Sequence, residues 1–170
     1  MDTTRRTALG LLAGLSICVG TSAALAADSS VVVSLWDKGP NSAMIDESHP
    51  MMLGTAMMNG GMAGAMMGMT IDKASVPAGM VTFSVTNDSK DIIHEMVVSP
   101  ITSLDDVLPY LKDENKIDED AAGHLGEVAE LEPGQAGSLG MEMKPGLYLL
   151  YCNIPGHYVG GMWTVLTVTQ

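Results

Sequence analysis

The sequence predicts an all-β protein, a two-sheet antiparallel sandwich carrying a short acidic insertion with helical turns. Three features predict it. Runs of β-branched and aromatic residues recur from Val31 to Val168. Turn clusters such as Val76-Pro77-Ala78-Gly79, Glu132-Pro133-Gly134 and Lys144-Pro145-Gly146 separate them. Met80 to Thr86 alternates strictly, with Val81, Phe83 and Val85 on one face and Thr82, Ser84 and Thr86 on the other. About seven or eight short strands fit this punctuation.

The N-terminus is of another kind. Arg5 and Arg6 precede an apolar run from Ala8 to Val19, and Ala24-Leu25-Ala26 fits a small-residue cleavage site. Residues 1–26 therefore read as an export signal, with Thr4-Arg5-Arg6-Thr7 resembling the twin-arginine type. The apolar run is too short and too interrupted to span a membrane, so no integral span is expected after processing and the destination is periplasmic or otherwise exported. The remainder is the size of one domain. Cys18 leaves with the signal, so Cys152 becomes an unpaired thiol in an oxidising compartment, and that calls for a role.

Val31 to Trp36 is the first expected strand, ending at Asp37-Lys38-Gly39-Pro40. Residues 27–69 are read as this strand plus a loop or wrap, because nine of the 15 methionines fall between Met44 and Met69 without a regular period. Thioethers fill irregular apolar gaps, and they also bind Cu(I). His49, beside Pro50 and Met51, reads as a loop residue. Residues 70–170 form the expected core, with 31–36 belonging to the same domain. Strands are expected over Thr70 to Ala74, Met80 to Thr86 and Ile92 to Val98.

In the last of these, Ile92, His94, Met96 and Val98 share one face, while Ile93, Glu95 and Val97 share the other. The Glu95 face is expected to meet solvent, which turns His94 inward. From Thr102 to Gly123 the chain is acidic, with Leu104, Val107, Leu108, Leu111 and Ile117 at roughly helical spacing and Pro109 inside. Short helical turns are expected there. His124, next in sequence, reads as structural. Strands resume over Glu127 to Leu131, Gln135 to Met143, Leu147 to Cys152 and Trp163 to Val168.

The last two runs flank Cys152-Asn153-Ile154-Pro155-Gly156-His157-Tyr158-Val159-Gly160-Gly161-Met162, a glycine-rich loop carrying a thiol, an imidazole and a thioether. Soft sulfur, nitrogen and a weak axial sulfur suit copper cycling between Cu(I) and Cu(II). His94 supplies the second imidazole that such a site lacks. The full set is His94, Cys152, His157 and Met162.

The C-x4-H-x4-M spacing, with Ile154-Pro155-Gly156-His157 and Gly161-Met162, resembles the cupredoxins, the type 1 blue copper proteins, and most closely rusticyanin and sulfocyanin. The resemblance covers Thr70 to Gln170. It implies a Greek-key sandwich, one copper, and one-electron transfer rather than catalysis. By that match His94, Cys152 and His157 are equatorial ligands and Met162 the weak axial one. Glu95 departs from the pattern, since family members often carry Asn or Ser after the first histidine.

The formal charge of −12 makes nucleic acid and anionic lipid poor partners. A redox protein with a basic patch, a cytochrome or an oxidase, fits better. Other chemistries fare worse. A Cys152 nucleophile lacks any marked oxyanion hole or cleft, zinc disfavours thioether, and a binuclear copper centre needs a second loop cysteine. The competing function is copper buffering or delivery outside the cytoplasm, with Met44 to Met69 as a Cu(I) acceptor.

Overall fold

The computed structural model describes residues 28–43, 50–54 and 64–170. The signal segment with Cys18, and His49 with Met44, Met57, Met58 and Met62, lie outside the described residues. Among the described residues no helix is long and apolar enough to cross a membrane.

The described residues form eleven strands: β1 (Ser29–Asp37), β2 (Met67–Ile71), β3 (Ser75–Pro77), β4 (Gly79–Asn87), β5 (His94–Ile101), β6 (Tyr110–Leu111), β7 (Lys116–Ile117), β8 (Gly126–Leu131), β9 (Ala136–Met143), β10 (Gly146–Tyr151) and β11 (Trp163–Thr169). One sheet has the order β2-β1-β4-β9 and the other β3-β11-β10-β5-β8, while β6 and β7 form a separate hairpin. The sandwich is as expected, with two differences. It is not wholly antiparallel, because β1 runs parallel to β4 and β11 parallel to β3. The segment read as a turn at Val76-Pro77 is instead β3, which carries the chain from one sheet to the edge of the other.

The core between the sheets follows from alternation. Val81, Phe83 and Val85 of β4 are fully buried against Val31, Val33 and Leu35 of β1 and against Met96, Val98, Leu150 and Leu166 of the facing sheet. A second cluster covers the opposite face of the larger sheet, joining Val97, Leu149, Tyr151 and Trp163 to Leu53, Leu108, Ile117 and Tyr158. Two of those cover residues come from the acidic insertion. That insertion holds the β6–β7 hairpin in place of the expected helical turns, with Asn115 at φ 56° in its bend. Only its end resembles a helical turn, where the Ala122 and His124 amides reach back to Asp118 and Glu119. The apolar spacing there answers to burial over a sheet, and it mimics a helix because Leu108, in the segment leading into β6, and Ile117 of β7 join the same cluster.

This cover overturns the expectation for Glu95. β5 is buried on both faces, like a strand flanked by layers on either side, and Glu95 is only 8% exposed. The methionines divide similarly. Met67 and Met69 lie in the inter-sheet core, and Met51 and Met52 pack on the second cluster. Met66 is exposed. β2 begins at Met67, so the core reaches back into the stretch read as wrap, pairing Leu35 with Met69.

Candidate metal centre

The site lies where three strand ends meet. Cys152 directly follows β10 and Met162 directly precedes β11, and these strands are paired up to Tyr151 opposite Trp163. The Cys152 N–H donates to the Met162 carbonyl at 3.0 Å, so the ladder continues by one bond into the loop. The Met162 N–H returns to the His157 carbonyl at 3.0 Å. Between them the chain bends tightly at Gly156 (φ 88°) and Gly161 (φ 94°), conformations that side-chain-bearing residues adopt at a cost. His94 opens β5 beside an irregularity in its pairing with β8, between His94 and Met96.

These elements bring the predicted donors together. The Nδ1 atoms of His94 and His157 are 3.3 Å apart, and His157 Nδ1 is 3.2 Å from Cys152 Sγ. One donor atom from each of the three lies within 4.8 Å of the others. His94, Cys152 and Met162 are fully buried and His157 is 4% exposed. Met162 shares the inter-sheet core with Cys152.

The Cys152 sulfur is supported by the chain itself. The Glu95 N–H points at Sγ from 3.5 Å, and the Ile154 backbone adds a second hydrogen bond. Backbone supplies the support that the Asn or Ser of the resemblance would give, and the Glu95 side chain is left for another task. Its carboxylate accepts the Asn153 N–H at 2.9 Å.

Without a metal, burial favours the uncharged forms of the donors. Burial pushes the Cys152 thiol up to about 12, although those two amide bonds oppose it. Burial, with the neighbouring His94, brings His157 down to about 4. Burial also lowers His94, against the pull of Asp37. Two imidazoles and a thiol thus face one buried point. A metal bound there displaces the thiol proton. Two nitrogens, one thiolate and a neighbouring thioether fit copper and suit few other ions.

Sequence reasoning missed three residues here. Asp37 accepts from His94 Nε2 at 3.1 Å, although it read only as the end of a strand. Asn153 ties the loop to the hairpin through the Ile117 N–H at 2.7 Å and the Ile117 carbonyl at 2.9 Å. Glu95 is turned inward. None has a local signal, since each contact joins residues more than thirty positions apart. His124 also gains neighbours, its ring lying with Glu119 and Glu127 at the surface.

Fold and donors together define a class, the cupredoxins, whose members hold one type 1 copper. The model of the sulfocyanin (SoxE) domain matches residues 58–170, and the chain belongs to the sulfocyanin family. It is a blue copper electron-transfer protein of that class.

The structure is similar to that of rusticyanin from Thiobacillus ferrooxidans, with a TM-score of 0.53 and 16% identity over 83% of this chain and 77% of that one. Auracyanin B is similar at 29% identity over 59% of this chain and 81% of that one, with a TM-score of 0.46. An auracyanin from Roseiflexus castenholzii is 24% identical over 59% and 88% of the two chains, with a TM-score of 0.43. The rusticyanin likeness bears on the fold. No curated protein matches the chain.

Proposed function

We propose that His94, Cys152, His157 and Met162 hold the copper and that the protein, once exported, carries single electrons between redox proteins. The observation that carries this reading is the meeting of Cys152 Sγ with two imidazole Nδ1 atoms inside a buried, hydrogen-bonded frame. Copper bound there supplies a one-electron Cu(I)/Cu(II) couple. Cys152 gives the soft anionic donor, His94 and His157 the neutral nitrogens, and Met162 a weak fourth contact. Strand pairing on both sides of the loop holds Cys152 and Met162 in place.

Residues 1–26, with their paired arginines and Ala24-Leu25-Ala26, support export. The methionines favour packing over copper storage, since four of the five described between Met51 and Met69 lie against apolar clusters.

The partner is a redox protein with a basic patch, a cytochrome or an oxidase. A groove of about 670 Å³ runs past Pro155 and His157, and Asp91, Glu119, Glu127 and Glu130 line it. Carboxylates beside the buried imidazole draw a cationic surface toward the side of the site that retains some exposure. The double variant Glu127→Lys, Glu130→Lys should leave the visible spectrum unchanged and slow electron exchange with a cationic cytochrome about tenfold or more at low salt. In the wild type the same rate should fall as salt screens the groove. Stopped-flow rates that respond neither to salt nor to the double variant would exclude docking at this groove.

A further inference from the structure

We propose that Asp37 is the residue that fixes His94 for the metal, taking the Nε2–H of the imidazole and so leaving the Nδ1 lone pair facing Cys152 and His157. The inference rests on the ligand set proposed above and concerns a residue outside it.

The contact is made between two sheets. Asp37 closes β1 in the four-stranded sheet, and His94 opens β5 in the five-stranded one. Their side chains are 1% and 0% exposed, and Asp37 Oδ2 lies 3.1 Å from His94 Nε2. The other carboxylate oxygen, Oδ1, accepts the Gly39 N–H at 2.6 Å, so the acceptor is itself held by the turn that ends its strand. An imidazole has one N–H when neutral, and a carboxylate has none to give. The proton therefore sits on Nε2, and the nitrogen turned toward Cys152 is free to donate its lone pair. Among the described residues the ring's other nitrogen, Nδ1, meets another histidine nitrogen, which fixes the tautomer less directly.

A carboxylate behind a ligating histidine also raises that ligand's basicity. The more positive oxidation state gains more from it, so Asp37 favours Cu(II) over Cu(I) and lowers the reduction potential.

Two measurements test this. In the copper-free wild type, imidazole nitrogen NMR should show His94 protonated at Nε2. In Asp37→Asn the amide oxygen can still accept the hydrogen bond while the charge is gone. One copper and the intense visible absorption should remain, with Cu(II) affinity down about tenfold, at the lower end of the range for such outer partners. With Cu(I) affinity held, that is a rise of about 59 mV for a one-electron couple. A potential equal to the wild type, or a His94 protonated at Nδ1, overturns the inference. Cys152→Ser measured alongside separates the two claims: if it loses the visible absorption, the ligand set stands whatever Asp37 does. If Cys152→Ser keeps that absorption, the ligand set falls, and the role of Asp37 falls with it.

Discussion

Asn153→Ala is expected to lower the stability of the protein by about 2–6 kcal/mol, among the largest effects available from one small side chain. Ile117 is fully buried, and both its N–H and its carbonyl are satisfied by the Asn153 side chain, at 2.7 and 2.9 Å. Alanine leaves both groups buried and unpaired, at about 1–3 kcal/mol each. The Asn153 side chain also donates to Glu119 Oε1 at 2.7 Å, which binds the residue after Cys152 to the acidic insertion. For a domain of this size the melting temperature should fall by roughly 5–20 °C. Thermal unfolding followed by circular dichroism reads it directly. A shift within about 2 °C would mean that water or another side chain satisfies Ile117.

Glu95 makes the stability of the copper-free protein depend on pH. Burial, with Glu130, Glu119 and Glu127 nearby, raises its carboxyl from 4.5 to about 7, although the Asn153 N–H pulls the other way. A raised value in the folded state means that the folded protein binds the proton more tightly than the unfolded chain. The associated stability is therefore complete below about pH 4.5 and is lost as pH rises through about 7. At 1.36 kcal/mol per unit, the loss is up to about 3 kcal/mol. Glu95→Gln keeps an oxygen for the Asn153 N–H and carries no charge. The variant should be more stable than the wild type at pH 8 and nearly equal to it at pH 4.5. Urea unfolding at both values gives the comparison, and parallel curves for the two proteins would contradict it.

Local pattern reached a good part of this molecule. Alternation placed Val81, Phe83 and Val85 inside, and the same period turned His94 toward the core, where it is fully buried. The spacing of Cys152, His157 and Met162 read correctly as one loop because paired strands bound it on both sides. The failures share a cause. Glu95 read as solvent-facing because a polar residue on an alternating strand normally marks the wet face. The face it shares with Val97 is covered by Leu53, Leu108 and Ile117, which come from segments whose destination is set by tertiary packing. The hairpin itself read as helical turns because Leu108, just before it, and Ile117, in its second strand, meet one apolar cluster. Asp37 was indistinguishable from any strand-ending aspartate, since its partner His94 lies 57 positions away. Long-range pairings of this kind leave no periodic trace.

The central claim is that Cys152 and the two histidines make one copper site. It is tested most directly by titrating Cu(II) into the protein and into Cys152→Ser while recording copper stoichiometry and the visible spectrum. Wild type should take up one tightly bound copper and develop the intense thiolate-to-Cu(II) absorption of a type 1 centre, and Cys152→Ser should lack that absorption entirely. A wild-type protein that stays colourless with copper bound, or a serine variant that turns blue, would contradict it.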